Sequence, residues 1–443
     1  MSMILKTNME ATRTLNQMTA NHSMAQKYLQ KVSTGMKVRN AADDASAYSI
    51  SERMRVRIRA LEQAHSNTQN GSNMMKTAEG AVASILDALR TLKSKAIDSA
   101  NDSNTDEDRR LMQKEFNQFV DAIDDDALIT FNNKYLIDGT RNNAFKPAKT
   151  ILLNQSLSED TIADSKLIEL KNRAEDSLNI QKTDYFQLSW VMNGKINTTS
   201  GQVAEKSLTD ILQISGVSEL QATTDGKING ITDKYDKDVY TPDKTQGIVI
   251  SSLATGNDDE IVKNQISGFA ISITDQDGNV KKSANAALDQ FKQYQRAEIQ
   301  TENKSLSFHV GADANIATKF ALTDMRATSL GLKGYDGNII SISTKIDANA
   351  TINVLDNVID KVLDQQTTIG AALSRLEHTS TNLTTAYTDD QASESVIRDA
   401  DMAKEMTGYA KYNILSQTSQ AMLAQANQNP MNVLYLLNSG ESE

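Results

Sequence analysis

Between Ile352 and Tyr387 side chains recur in unbroken steps of three and four: Ile352, Leu355, Ile359, Val362, Gln366, Ile369, Leu373, Leu376, Ser380, Leu383 and Tyr387. Only Gln366 and Ser380 interrupt the apolar stripe. Such steps hold side chains on one face of a helix. A stripe of about five heptads outruns what a single globular core covers, so the spacing predicts a coiled-coil partner.

The N-terminal end carries the same kind of pattern. A helix over residues 4–33 is predicted by Ala11, Leu15, Met18, His22, Ala25, Leu29 and Val32, with Gly35 as its stop. A second helix, 43–100, opens on Met54, Ile58 and Leu61 and continues through Met75, Ala78, Val82, Ile85, Leu89, Leu92 and Ala96. Gly71 and Gly80 weaken it locally. A third, 105–126, aligns Met112, Phe116, Phe119 and Ile123 behind Thr105 and an acidic first turn. A last helix, 394–438, places Leu415, Met422, Ala426, Val433 and Leu437 along one face, and Pro430 should kink or restart it. Three Pro in 443 residues and 5% aromatics suit long helices better than a large aromatic core.

Residues 141–305 read differently, as a mixed α/β insert. Phe269, Ile271 and Ile273 alternate with Ala270 and Ser272, and Asp275-Gln276-Asp277-Gly278-Asn279 follows as the turn of a hairpin. Asp225-Gly226 and Gly230 mark further turns, and short helices are expected near 164–181, 204–213 and 284–296. The fold class is therefore mainly α, with long helices at both ends.

Several functions are excluded or disfavoured. A net charge of −11 opposes nucleic-acid binding and makes free copies repel one another at low salt. Without Cys there is no disulfide, thiol chemistry or Cys-based metal site. No apolar leader opens the chain, and no stretch approaches the roughly 18 apolar residues of a membrane span. His22, His65, His309 and His378 do not form His-Glu-x-x-His. Asp275 to Asn279 departs from the calcium-loop pattern, which needs its Gly one place later and a distal Glu. Asp124-Asp125-Asp126 reads as a solvated acidic run, and no Gly-rich phosphate loop occurs. No catalytic set, cofactor or metal is expected.

Seven segments, in order, resemble the bacterial flagellins. They are Ser33-Thr34-Gly35 leading to Asp43-Asp44-Ala45, Thr77 to Ala81, Thr130 to Gly139, Phe308 to Asn315, Ile369 to Leu376 (with Ser374 where Asn is usual), Ile397 to Ala403, and Ala421 to Leu437. The resemblance covers roughly 1–140 and 306–440 and leaves the middle unmatched. It implies a non-catalytic, secreted subunit that polymerises with itself into the extracellular flagellar filament. It implies a long antiparallel coiled-coil rod formed by both termini. Residues 1–37 and 400–443 would line the filament core, 38–140 and 306–399 would form the rod, and 141–305 would face outward. The polymerisation seam would comprise Leu15, Met18, Ala25, Leu29, Val32, Leu415, Met422, Ala426, Val433 and Leu437. The rod seam would comprise Leu355, Ile359, Val362, Ile369, Leu373, Leu376 and Leu383. Ser33, Thr34 and Gly35 would be a hinge, where the residues alone read as a helix C-cap. Implied partners are the flagellar export apparatus, a cytoplasmic chaperone at the C-terminal helix, and the filament cap and hook-junction proteins.

The same resemblance aligns Leu89, Arg90, Thr91, Leu92, Lys93, Ser94 and Lys95 with a segment read by a host innate receptor. Thr91, Ser94 and Lys95 stand where Arg, Glu and Leu are expected, so activation should be weak. Two alternatives compete with the filament reading: a hook–filament junction protein with the same helical ends, and an enzyme carried on 141–305.

Overall fold

The computed structural model describes residues 8–142, 149–215, 218–223, 226–232, 237–252, 258–297 and 304–439. In chain order the elements are α1 (Met9–Thr34), α2 (Ala45–Ser99), α3 (Asp106–Ala127), β1 (Thr130–Phe131), β2 (Lys134–Tyr135), β3 (Ile151–Asn154), β4 (Tyr185–Met192), β5 (Lys195–Gln202), α4 (Leu208–Ser215), β6 (Ser218–Ala222), β7 (Lys227–Thr232), β8 (Asp238–Tyr240), β9 (Ile248–Ser252), α5 (Asp258–Lys263), β10 (Ile266–Thr274), α6 (Lys282–Leu288), β11 (Lys292–Gln295), β12 (Leu306–His309), β13 (Ala317–Phe320), α7 (Ala327–Leu330), α8 (Lys345–Arg398) and α9 (Met402–Ser439). The chain is mostly helical at its two ends, with a strand-rich insert between them.

Side chains set the helix boundaries. Asp44 Oδ1 accepts from the Ala47 N–H at 2.9 Å and opens α2. Thr105 caps α3 as its sequence predicted, and Asp108 returns the bond in a reciprocal capping box. The Thr105 hydroxyl, hydrogen-bonded to Asp108, holds that carboxyl below the usual carboxylate range. Asp401 Oδ1 accepts from the Ala403 N–H at 3.0 Å, so the last helix begins at Met402 and not near 394. α9 is one helix through Pro430, so it does not restart there.

The chain forms two compact units, and α2 and α8 contribute to both. The first comprises Met1–Asn67, Val310–Ile316 and Thr379–Glu443. Here α1 pairs with α9, and a small apolar cluster of Leu61, Ala64 and Leu383 is covered by Ala312, Ala386 and Tyr387. Arg398 stacks over the Tyr48 ring and donates to Glu52 at 2.7 Å, holding that carboxyl below its ordinary range.

The second unit comprises Thr68–His309 and Ala317–His378. Met75, Ala78, Val82, Ile85, Leu89, Leu92 and Ala96 are all fully buried, the face that the spacing of α2 predicts. On α3 the buried residues are Arg109, Phe116, Val120, Ile123 and Ala127, with the predicted Met112 and Phe119 only half-buried. The acidic run after them is not simply solvated. Asp124 Oδ1 accepts from the Ala327 N–H at 2.7 Å and stands 3.4 Å from Lys333, because α7 needs a donor sink at its start.

The insert has a three-stranded antiparallel sheet, β10-β4-β5, and a four-stranded one, β11-β3-β9-β6. Strand alternation sorts its apolar residues. Leu152, Ile248 and Ile250 join the main core with Phe186, Phe269 and Leu288, whereas Ile151, Leu153 and Val249 face a second cluster.

Three local expectations need correction. No α-helix spans 164–181, because Glu175 and Asn179 hold left-handed backbone (φ 66° and 51°) and turn Leu178 and Ile180 back onto the core. The helix expected over 284–296 ends at Leu288, and β11 follows. Asp275 to Asn279 does form a tight turn, with Asp275 Oδ1 accepting from the Asp277 and Asn279 N–H groups. Across it the chain returns as a minimal hairpin, with Thr274 and Val280 bridged antiparallel and the Lys281 N–H donating to the Ile273 carbonyl at 3.0 Å, but the return is too short to form a strand and passes into α6, whose Asn285 accepts from the Ile273 N–H at 2.7 Å. Gly226 is a left-handed turn residue (φ 73°), Gly230 falls inside β7, and Asp225 lies outside the described residues.

Candidate assembly surface on the terminal helices

α1 and α9 run antiparallel: Asn8, Asn21, Tyr28 and Lys31 meet Ala426, Ser419, Tyr412 and Glu405 in turn. The face that α1 turns inward is Ala11, Thr14, Met18, Asn21, Ala25 and Tyr28, all buried or half-buried. The matching face of α9 is Glu405, Gly408, Tyr412, Ser416, Ser419, Leu423 and Ala426. Asn21 Nδ2 donates to Ser419 Oγ at 3.1 Å in a buried position. The Tyr28 and Tyr412 rings stack with centroids 5.4 Å apart. Gly408 lets that stack form, because any Cβ there would run into the Tyr28 ring. The pairing therefore rests on small, polar and aromatic contacts more than on leucines.

The leucines lie one residue over. Leu15 and Leu29 are 45% and 48% exposed, and Met24 lies open beside them. On α9, Ile414 and Met422 are 62% and 57% exposed, with Leu415, Met402 and Met406 also open. Of the predicted polymerisation seam, Ala25 and Ala426 are buried inside the pair, Met18 and Val32 are half-buried, and Leu15, Leu29, Leu415 and Met422 are exposed. The side chains of Val433 and Leu437 lie outside the described residues. The predicted track (11, 15, 18, 22, 25, 29, 32) and the covered one (11, 14, 18, 21, 25, 28, 32) share every second member. Both alternate by three and four, so period alone does not choose between them. Asn8, Asn21, Tyr28, Tyr412, Ser416 and Ser419 escaped notice because they are polar. A scan for small and polar residues at helical spacing would have found them.

The rod seam behaves alike. Leu355, Val362, Ile369, Leu376 and Leu383 are buried, Ile359 and Leu373 half-buried, and the covered positions between them are Asn357, Val358, Gln365 and Ala372. Gln365 Oε1 accepts from the Thr323 hydroxyl at 2.7 Å and its N–H at 3.2 Å.

At Ser33-Thr34-Gly35 the structure forms a C-cap. Gly35 is left-handed (φ 68°), and its N–H donates to the Lys31 carbonyl at 2.8 Å. The segment beyond is stitched to the α8–α9 connection: Lys37 N–H donates to the Arg398 carbonyl at 2.7 Å, and Ala400 N–H to the Gly35 carbonyl at 2.8 Å.

In the segment aligned with the receptor site, Leu89 and Leu92 are buried, Arg90 and Ser94 exposed, and Thr91, Lys93 and Lys95 half-buried. Arg90 pairs with Asp87 at 2.8 Å, Lys95 with Glu115 at 2.8 Å, and Lys93 with Asp356. Among the described residues no cluster of three or more His, Cys, Asp or Glu could hold a metal ion, and no helix is long and apolar enough to cross a membrane.

Comparison with known proteins agrees with this layout. Residues 5–142 match the family model of the bacterial flagellin N-terminal helical region, and residues 352–437 that of the C-terminal helical region. A flagellin of Clostridium tyrobutyricum is 33% identical over 431 residues, spanning 96% of this chain and 99% of that protein. A flagellin of Bacillus subtilis (strain 168) is 27% identical over 450 residues, spanning 97% and 98%. The crystal structure of flagellar hook associated protein-3 from Legionella pneumophila aligns over 77% of this chain and 97% of that one, at 14% identity and a TM-score of 0.34, too distant to decide anything. This chain belongs to the bacterial flagellin family, the structural subunits of the flagellar filament.

Proposed function

We propose that this flagellin polymerises by covering the open apolar track of its paired terminal helices with the same track of neighbouring copies. One observation carries the reading: Leu15, Leu29, Ile414, Leu415 and Met422 remain uncovered while the pair is closed by smaller and more polar residues. Fully burying a side chain of this size contributes about 1.5–3 kcal/mol, so several covered together drive association of the already paired helices. Contacts between unlike surfaces that do not close into a ring extend as a helical filament.

In this reading residues 1–37 and 400–443 line the filament core, 38–140 and 306–399 surround it as a rod, and 141–305 face outward. Ser33-Thr34-Gly35 is the joint between the first two layers. The subunit is non-catalytic, leaves the cell through the flagellar export apparatus and works outside it. Before export a cytoplasmic chaperone covers the C-terminal helix, and filament cap and hook-junction proteins guide insertion. Electron microscopy of the purified chain tests the core of this: long filaments are expected, and failure to elongate would favour a junction role. The receptor segment should activate weakly, since Lys95 stands where an apolar side chain is expected and Arg90 is already paired with Asp87. A reporter-cell assay at matched concentration checks it, and full potency would refute it.

A further inference from the structure

Pro430 lies inside α9, and the helix does not break there. Proline has no N–H, so the carbonyl four residues earlier, that of Ala426, loses its helical donor. Ala426 is buried in the α1–α9 pair, where an unpaired carbonyl is costly. Asn8 supplies the missing donor: its Nδ2 donates to the Ala426 carbonyl at 2.8 Å. The other end of the same amide is also engaged. Asn8 Oδ1 accepts from the Ala11 N–H at 2.9 Å and caps α1. The cap thus aims the donor, and the proline supplies the acceptor.

We propose that Asn8 and Pro430 form a register lock for the terminal helix pair, with Asn8 as a positioning residue for assembly. Near the other end of the pair the register is held by Tyr28 over Gly408 and Tyr412, but between Ala11 and Met18 the covered residues are small, polar or flexible and do little to hold it. Interior carbonyls of a helix are occupied by their own N–H donors. The Ala426 carbonyl is the exception, because Pro430 is the one proline between residues 402 and 439. Sliding α1 by a heptad would leave that carbonyl bare and move the capping amide away from it. This rests on the reading that the α1–α9 pair is part of the assembled subunit.

The test is a double-mutant cycle on the full chain in seeded filament growth, reading the critical concentration. Asn8→Ser keeps a capping oxygen but cannot reach across, and Pro430→Ala returns an N–H to the Ala426 carbonyl. Asn8→Ser is expected to raise the critical concentration about tenfold in the natural background and no more than about twofold beside Pro430→Ala. Equal factors in both backgrounds would reduce Asn8 to an ordinary cap and overturn the lock. Should a variant fail to elongate alone, its incorporation into filaments grown with excess unmutated chain, read by mass spectrometry, is expected to follow the same two factors. Failure of the unmutated chain to form filaments would be seen first, and would sink the assembly reading and the lock with it.

Discussion

The α2 face in the second unit and the α1–α9 pair are written in the same three-four code, yet they spend their apolar residues in opposite ways. From Met75 to Ala96 every member of the α2 track is fully buried. On α1 and α9 the covered track is Thr14, Asn21, Ser416 and Ser419 among others, and the leucines and methionines stand outside. A helix whose apolar track is covered within its own chain belongs to a self-sufficient core. One that closes on small and polar residues and displays leucine needs a second molecule. In the proposed reading, the difference marks which helices are finished in the subunit and which are finished by assembly.

The sharpest way to break this comparison is to charge the displayed track. Leu15→Asp and Leu415→Asp are expected to abolish filament growth in a sedimentation assay. The calorimetric melting of the second unit should not move, because neither side chain belongs to it. Retained growth would show that the open leucines are not the contact surface. The converse change is Leu89→Ala, at a fully buried position. It should destabilise the second unit by about 2–5 kcal/mol in urea unfolding, through lost burial and a residual cavity.

A third test concerns the insert, the region furthest from both seams in character. Asp289 follows α6, accepts from Asn353 at 2.8 Å, and is pushed up to about 7 by burial, with the Asn353 hydrogen bond acting against that shift. Its folded pKa is raised, so folding gains from the protonated form. That stability is present below the unfolded value near 3.8 and is lost as pH rises through about 7. Asp289→Asn should therefore raise the melting temperature at pH 8 and barely change it below pH 4. The ceiling is about 4 kcal/mol if the whole shift is expressed. An unchanged melting profile at pH 8 would mean that the charged form is solvated after all.

These contrasts also explain what the sequence could say beforehand. The α2 face from Met75 to Ala96, Phe116 and Ile123 on α3, the Thr105 cap and the alternating strand at Phe269 to Ile273 were legible because hydrophobic period and capping chemistry are local. The exact track on α1 was not. Positions 14 and 15, 21 and 22, and 28 and 29 satisfy the same period, and the choice between them is made by Gly408 and Ser419 on a helix nearly 400 residues away. The passage through Pro430 was hidden for the same reason. Proline favours a break by removing a donor and crowding the carbonyl four residues earlier, and the donor that this carbonyl finds in Asn8 is not local. The region 164–181 misled because leucines at helical spacing can also be folded back by left-handed residues such as Glu175 and Asn179.

The smallest expected effect falls at the joint between the two kinds of helix. Gly35 holds φ 68° with open space around its missing Cβ, so a side chain there meets no neighbour and the cost is purely conformational. Gly35→Ala should weaken the C-cap by about 1–2 kcal/mol, and Gly35→Asn by less, since Asn tolerates the left-handed region. In filament growth the alanine variant should raise the critical concentration roughly five- to thirtyfold, with asparagine in between. If both variants matched the unmutated chain, residue 35 would not keep its left-handed conformation in the polymer. Ser33-Thr34-Gly35 would then act as a swivel that resets on assembly and not as the fixed cap seen here. The order of the two substitutions therefore separates a rigid cap from a hinge, a distinction that the helix-stop signal in the sequence leaves open.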